Sequence, residues 1–270
     1  SRSIESLVQD FSQLVERGVS EINLLSQDTS SYGKDLRDGT ELSGLLRALS
    51  TVPGDYWIRM FYCYPNSFTD EVLEVMASDP RFCRYLDMPF QHISDPVLKK
   101  MNRKITRKEI EATMARVRRK LPDVAWRTTF IVGFPTETDQ DFEELVDFVS
   151  EGHFQQLGIF LYSDEDNIRS SKFGDPIPLS LKEERKNRLM EIQQKISREH
   201  HQKMVGSLQQ VLVGGFSSET DLLLEGRNQF QGPEVDGVVY INEGNATSAG
   251  FHQVEITEAH EYDLVGKILN

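Results

Sequence analysis

Two hydrophobic periodicities alternate along the amino-terminal half of the chain. Apolar residues spaced three and four apart, from Ile4 to Val15, predict a helix at the start. Further helical patterns then alternate with short apolar runs. The helices are predicted at about 41–50, 69–77, 107–121 and 139–150, and the strands at 21–26, 56–62, 86–90, 126–132 and 156–162. Strands that alternate with helices predict an α/β fold with a parallel sheet.

The order of these elements also indicates what kind of barrel they form. The series opens with a helix, whereas a strand–helix barrel opens with a strand. The pattern therefore predicts a partial barrel, similar to a TIM barrel, whose first strand is missing from these 270 residues. We interpret the chain as a fragment of a longer protein.

The pattern changes after residue 162. Residues 163–180 contain two prolines and few large apolar side chains, which predicts a loop, and a long charged helix is predicted from Leu181 to Met204. Short alternating runs come next, at 209–213, 221–225, 237–241, 253–256 and 262–266. They predict a small antiparallel β-barrel of the oligonucleotide-binding kind. We therefore predict two domains, residues 1–203 and 204–270.

Composition indicates a folded protein outside the membrane. Charged residues make up 27% of the chain and hydrophobic ones 38%, no apolar run approaches a membrane span, and the start lacks a signal-peptide pattern. Cys63 and Cys83 have no motif spacing, so we predict reduced, buried thiols in a cytoplasmic protein. A net charge of −13 argues against a broad nucleic-acid surface and allows a cationic partner.

Polar residues follow the predicted strands at their carboxyl ends, where parallel strand–helix folds place their ligands. They are Gln27-Asp28-Thr29, Tyr64-Pro65-Asn66, Gln91-His92, Gly133 to Glu137, and Ser163-Asp164-Glu165. For each one alone, an ordinary polar loop is the alternative. On the strand 126–132, Arg127 and Thr129 share one face, which we predict to line the barrel interior. An inward Arg and Thr need partners, which favours a polar ligand or a buried network.

Several motifs carry a family resemblance. They are QDTSSYG (27–33), PFQHISDPVLKKMNR (89–103), RTTFIVGFPTET (127–138), LGIFLYSDED (157–166) and EYDLVGKI (261–268). Together they resemble the methylthiotransferase branch of the radical S-adenosylmethionine enzymes, over essentially the whole chain. PFQHIS, YSDEDN and GPEVDGVVYI most resemble the ribosomal protein methylthiotransferases. The transfer-RNA branch typically has Gln-Ser-Gly-Ser where this chain has Gln91-His92-Ile93-Ser94.

The resemblance implies a partial, six-stranded barrel that holds S-adenosylmethionine and a four-iron, four-sulfur cluster bound by Cys-x3-Cys-x2-Cys. A second cluster belongs to an amino-terminal domain of the family. The implied reaction inserts a methylthio group at an unactivated carbon, in the ribosomal branch the β carbon of an aspartate in small-subunit ribosomal protein twelve. No such cysteine triad occurs in this sequence. We therefore predict no metal ligands here and expect the chain alone to be unable to cleave S-adenosylmethionine.

The resemblance also implies cofactor contacts. The predicted S-adenosylmethionine-binding residues are Gln27, Asp28, Gln91, His92, Arg127, Thr129, Gly133 and Phe160. Gln27 and Asp28 are candidates for the methionine amino group, and Gly133 would let the backbone approach the nucleoside. Phe160 and Tyr162 are candidates to flank the adenine, with core positions as the alternative. Glu137 also follows a strand end, but its role can be only to cap the helix that follows. Residues 101–104 can be only the solvated end of a helix.

The small barrel resembles a TRAM domain, which binds the macromolecular substrate in related enzymes. Residues 205–270 contain two basic and ten acidic residues, a net charge of −8. Such a domain should repel nucleic acid and attract a basic ribosomal protein. We predict ribosomal protein twelve as the partner, and its predicted contacts are Glu225, Glu234, Asp236 and Glu243. An acidic face that serves only solubility is the alternative.

Two other functions stay open on the sequence alone. A transfer-RNA methylthiotransferase would need a basic patch, and the candidate is the cluster Arg116, Arg118, Arg119 and Lys120. A noncatalytic binding adaptor is consistent with the lack of a cysteine triad in the sequence.

Overall fold

The computed structural model describes residues 1–165, 170–244, 246 and 249–269, and shows a strand–helix domain followed by a small β-barrel. The first domain comprises α1 (Ile4–Glu16), β1 (Glu21–Leu24), α2 (Leu42–Ser50), β2 (Trp57–Met60), α3 (Asp70–Ser78), β3 (Tyr85–Asp87), α4 (Asp95–Lys100), α5 (Arg107–Lys120), β4 (Ala125–Val132), α6 (Asp139–Ser150), β5 (Gln156–Leu161) and α7 (Leu179–Gln202). The predicted alternation of strands with helices is confirmed. Residues 166–169, within the predicted loop and at the end of the LGIFLYSDED and YSDEDN motifs, lie outside the described residues.

The strands of this domain are parallel and follow chain order. β1 pairs with β2, and β3, β4 and β5 form a second group. Ile58 joins the two groups, because its N–H donates to the Arg81 carbonyl at 2.8 Å and its carbonyl accepts from the Cys83 N–H at 2.9 Å. The described strands thus form an open parallel sheet, which confirms the predicted α/β partial barrel.

Burial alternates along β4 and separates the two faces of the sheet. Thr128, Phe130 and Val132 are buried, whereas Arg127, Thr129 and Ile131 are only partly covered. Phe130 and Val132 belong to the large apolar core that the helices complete. Arg127, Thr129 and Ile131 therefore share the opposite face, the interior of the partial barrel.

Side-chain caps fix the starts of the helices on either side of β4. Thr106 and Glu109 form a capping box at α5, and Thr138 and Asp141 form another at α6. Each cap satisfies backbone N–H groups that have no partner within the helix, and is worth about 1 kcal/mol. The second cap holds the loop that follows β4, at the ligand-binding edge of the sheet.

The carboxyl-terminal domain is a closed β-barrel. Its strands are β6 (Leu208–Phe216), β7 (Leu224–Asn228), β8 (Val239–Glu243), β9 (Gly250–Ala259) and β10 (Leu264–Ile268), in the order β10-β8-β7-β6-β9. The predicted small barrel is confirmed, although β8 and β10 are parallel, since a closed ring of five strands cannot alternate throughout. The second predicted strand began too early: Leu222 is 88% exposed and precedes β7.

Two further predictions concern the membrane and the thiols. Across the described ranges, no helix has the length and apolarity to cross a bilayer. Cys63 and Cys83 are free and buried, as predicted. Burial raises the pKa of the Cys83 thiol to about 12 and also raises that of Cys63, so both stay protonated at neutral pH.

Candidate active site

A cavity of about 460 Å³ opens at the carboxyl ends of β4 and β5. Its lining includes Gln91, Lys100, Arg103, Ile131, Phe160 and Glu165. This is the edge at which parallel strand–helix folds bind their ligands. Of the predicted cofactor residues, the structure brings Gln91 and Phe160 together here.

Gln91 reaches the cavity through an unusual backbone conformation. Its φ is 74°, in the left-handed region that glycine favours. The strand β3 has ended at Asp87, but Gln91 rejoins β4: its N–H donates to the Thr129 carbonyl and its carbonyl accepts from the Ile131 N–H, each at 2.8 Å. Such a conformation costs a non-glycine residue about 1 to 2 kcal/mol, and these two hydrogen bonds hold it in place.

His92 lies behind the cavity and is fully buried. Its Nδ1 accepts from the Ser94 N–H at 3.0 Å, so the neutral ring carries its proton on Nε2. That nitrogen lies 3.6 Å from Oε2 of Glu137 and has no hydrogen-bond partner within the described structure. The cofactor role predicted for His92 stays a prediction, and its surroundings favour support of the loop that follows β4.

The loop after β4 is held from behind by α7. Gly133 has φ 76° and donates its N–H to Oε2 of Glu137 at 2.9 Å. Oε1 of Glu137 accepts from Nη1 of Arg185 at 2.6 Å. A Cβ on Gly133 would lie 2.3 Å from Cγ of Lys182. The side chain that closely approaches the Gly133 backbone is thus Lys182. The predicted contact between Gly133 and a nucleoside stays a prediction.

Gln27 and Asp28 are placed away from this cavity. Asp28 precedes a 3₁₀ turn, and its carboxylate accepts from the hydroxyls of Ser30 and Ser31. Gln27 is exposed. Asp28 therefore stabilises its own loop, and the prediction that the two residues bind the methionine amino group remains open.

Arg127 and Asp236 were predicted to serve two different sites, but they contact each other. Nη1 of Arg127 lies 2.5 Å from Oδ1 of Asp236, and Nε lies 3.7 Å from Oδ1 of Asp87. Oδ2 of Asp236 accepts from the Tyr85 hydroxyl at 2.7 Å. Burial, followed by the charge of Asp236, raises the pKa of Tyr85 well above its usual value. The Arg127 guanidinium and the Asp236 carboxylate are thus paired with each other at the junction of the two domains.

Thr129 and Phe160 complete the predicted set. Thr129 is partly covered and lies between Arg127 and Ile131 on the inner face of β4, below the cavity that Ile131 lines. Phe160 is 60% exposed, which shows that it is not a core residue. Its ring is available as a stacking surface at the mouth of the cavity.

Arg103 is a cavity residue that the sequence did not reveal. It is half-buried, and its guanidinium lies 5.2 Å from the centroid of the Tyr64 ring. Burial lowers the pKa of Arg103, and the described residues offer it no carboxylate within ion-pair distance. Asn102, with φ 58°, follows the end of α4 and turns the chain back towards the cavity. The interpretation of residues 101–104 as a solvated helix end therefore does not hold for Arg103.

An iron–sulfur cluster does not fit the residues that the structure describes. The described part of the protein contains no group of three or more His, Cys, Asp or Glu side chains placed to hold a metal ion. The two thiols are buried and protonated, which makes them poor ligands. No chemical step through a cluster can be derived from these residues.

The acidic residues of the small barrel divide into two groups. Glu234 and Glu243 are exposed and Glu225 is half-buried, whereas the carboxylate of Asp236 is enclosed against Arg127. The two basic residues of the domain are paired: Arg227 with Glu21 at 2.8 Å and Lys267 with Glu255 at 3.2 Å. The outer surface of the domain therefore presents negative charge.

Comparison with known proteins identifies both domains. The family described as the Radical SAM superfamily matches residues 1–149, and the TRAM domain matches residues 205–269. The chain is 43% identical over 269 residues to the ribosomal protein uS12 methylthiotransferase RimO of Geotalea uraniireducens, and 46% identical over 274 residues to that of Bdellovibrio bacteriovorus. Each comparison covers 100% of this chain and 60% of the relative. The chain thus spans about 60% of the length of these curated relatives.

A solved structure shares the fold of the first domain. Coproporphyrinogen III oxidase (HemN) from Escherichia coli, a radical SAM enzyme, superposes with a TM-score of 0.51 at 17% identity. The superposition covers 70% of this chain and 44% of that chain. At this level of identity the likeness shows the fold alone.

Proposed function

The chain belongs to the radical SAM superfamily and carries a TRAM domain, and from this we propose that it is the barrel and substrate-binding part of a methylthiotransferase that modifies ribosomal protein uS12. The observation that carries the proposal is the cavity at the carboxyl ends of β4 and β5, whose wall contains the guanidinium of Arg103, without a carboxylate partner among the described residues. The names of the relatives supply the substrate. The proposed target is the β carbon of an aspartate in that protein.

We place S-adenosylmethionine in this cavity. Arg103 is the proposed partner of its carboxylate, because a half-buried guanidinium that has no carboxylate partner within the described ranges gains a charge-assisted hydrogen bond there. Phe160 offers a ring for the adenine, and Gln91 offers an amide for the ribose. When bound, S-adenosylmethionine supplies the radical chemistry and the methyl group. The protein binds and orients it and limits access of water.

Four of the other predicted cofactor residues have supporting roles behind the cavity in this proposal. Gly133 holds the loop after β4 through its hydrogen bond to Glu137, and His92 lies beside the same carboxylate, 3.6 Å away. Arg127 anchors the TRAM domain, and Thr129 fills the inner face of β4 above it. The two iron–sulfur clusters of the family would be held by cysteines outside this sequence. We therefore expect the 270-residue chain to bind S-adenosylmethionine without cleaving it.

Charge favours a basic protein as the substrate over nucleic acid. Both basic residues of the TRAM domain are paired with carboxylates, so they are not free to neutralise phosphates. Two of the four basic residues in the cluster on α5 are also paired: Arg116 with Asp70 and Lys120 with Glu74. These pairs do not favour the transfer-RNA alternative. The exposed Glu234 and Glu243, with Glu225, remain the proposed contacts for uS12, which implies a protein of the cytoplasm.

The experiment that tests this proposal is a titration with purified uS12 and, separately, with unmodified transfer RNA. It is run with the complete gene product at low and moderate salt. Binding of uS12 that weakens with salt, without RNA binding, is the expected result, because exposed charges attract each other less at high ionic strength. Preferential binding of RNA would contradict the proposal and favour the transfer-RNA branch.

A further inference from the structure

Two cations line the cavity without a carboxylate within ion-pair distance in the described structure. Arg103 is half-buried in the wall, and Lys100 is exposed on the last turn of α4. The carboxylate of Glu165 also lines the cavity but forms no ion pair with either of them. Many other cations of this acidic protein do have carboxylate partners, as Arg107 and Arg116 show nearby. The cavity therefore has two cationic positions at different depths.

The proposed reaction brings two carboxylates to this cavity. One belongs to the amino-acid part of S-adenosylmethionine, and the other belongs to the target aspartate, next to the carbon that reacts. We propose that Lys100 binds the carboxylate of the target aspartate and makes the enzyme select aspartate over asparagine. This inference rests on the proposed function and names a specificity-determining residue for its substrate.

The different exposure of the two cations is consistent with assigning Arg103 to the cofactor and Lys100 to the target aspartate. The small cofactor can reach the half-buried guanidinium of Arg103, whose planar fork matches a carboxylate. A side chain on a macromolecular substrate enters from the mouth, where Lys100 is exposed. The flexible stem of a lysine lets its ammonium follow an incoming carboxylate.

The position of Lys100 is fixed at its base and free at its tip. Val97 and Leu98 on the same helix are fully buried and anchor α4. Nζ of Lys100 lies 5.6 Å from the centroid of the Phe173 ring, and it forms no hydrogen bond with the part of the chain that the structure describes. Lys99, one residue earlier, is also exposed but does not line the cavity. Since both lysines lie near the carboxyl end of the helix, a general effect on the helix dipole would involve both.

The test measures peptide binding by the complete gene product, using fluorescence anisotropy. The probes are two synthetic peptides of the uS12 target segment, one with the aspartate and one with asparagine in its place. The wild type should prefer the aspartate peptide by about tenfold, the size of one charge-assisted hydrogen bond. Lys100→Gln should lose this preference, Lys100→Arg should keep most of it, and the matched control Lys99→Gln should keep all of it. Affinity for S-adenosylmethionine, measured by calorimetry, should not change in Lys100→Gln.

Each contrary outcome has a distinct meaning. Equal aspartate preference in Lys100→Gln and Lys99→Gln would overturn the inference while leaving the proposed function intact. A loss of S-adenosylmethionine affinity in Lys100→Gln would also overturn it, because Lys100 would then bind the cofactor. If the wild type binds S-adenosylmethionine but neither peptide, the proposed substrate is wrong, and the inference fails with it.

Discussion

Arg127 on β4 and Asp236 in the TRAM domain form an ion pair across the domain junction, with 2.5 Å between Nη1 and Oδ1. The Asp236 side chain is 1% exposed and also accepts from the Gly232 N–H at 2.8 Å. Arg59 makes a second link, since its Nη1 donates to the Gln229 carbonyl at 2.9 Å. The segment between β7 and β8 is therefore bound to the inner face of the barrel, which fixes how the two domains meet.

We expect Asp236→Asn to destabilise the protein. Loss of the charge leaves the largely enclosed Arg127 with only the more distant Asp87 carboxylate, and breaking a buried pair in this way typically costs about 3 kcal/mol. Urea unfolding measures the change in the free energy of unfolding. Glu234→Gln is the matched control, because Glu234 is exposed two residues earlier and should change stability by less than about 0.5 kcal/mol. Similar losses in both variants would show that the ion pair does not hold the junction.

Arg103→Gln should weaken binding of S-adenosylmethionine by about ten- to a hundredfold, because a hydrogen bond to a charged group contributes about 1.5 to 3 kcal/mol. Calorimetry with S-adenosylmethionine and with its decarboxylated analogue measures the effect. The variant should bind the analogue as the wild type does, since the analogue has no carboxylate to lose. Arg119→Gln, on the exposed side of α5, is the control. An equal loss for both ligands would place Arg103 elsewhere in the site.

The fold could be predicted because its signals are local. Helix and strand periods differ, and each element of the first domain carries its own pattern within a few residues, as β4 does with alternating burial. The closed barrel was also predicted from local alternation. Its parallel β8–β10 pair was not, because that pairing depends on closing the ring.

The site could be predicted only in part, because contacts between residues distant in sequence determine which side chains reach it. Arg127 and Asp236 are 109 positions apart, and nothing in either neighbourhood indicates that they meet. Arg103 was missed for a different reason: the left-handed turn at Asn102 changes its direction, and such a turn has a weak sequence signal. Gln91 and Phe160 line the cavity, and the sequence indicated this position because both follow the strand pattern to the carboxyl edge of the sheet.

Stability should fall as the pH drops from 7.5 to 5.5. Burial lowers the pKa of His201 below its usual value of 6.5, so the folded state binds fewer protons than the unfolded state below that pH. The stability that comes from the neutral ring is therefore complete above about pH 6.5 and is lost as the pH falls towards the folded-state pKa. Urea midpoints at the two pH values measure this loss. His201→Gln should show a smaller loss, and His252→Gln, on β9, serves as the control; an unchanged loss in His201→Gln would assign the effect to other groups.

Gly133→Ala should be more harmful than the same change at another glycine with positive φ. Gly133 has φ 76° and Gly152 has φ 73°, so both substitutions place alanine in the left-handed region, at a cost of about 1 to 2 kcal/mol. Only the Cβ at Gly133 would collide with a side chain, because Cγ of Lys182 lies 2.3 Å away, whereas the nearest atom at Gly152 is at 4.0 Å. The difference in unfolding free energy between the two variants therefore measures the packing of Lys182 against the loop. We expect Gly133→Ala to lose more stability and also to weaken binding of S-adenosylmethionine, since Gln91 rests on the same strand end. Equal losses would show that Lys182 moves aside freely and does not hold this edge of the cavity.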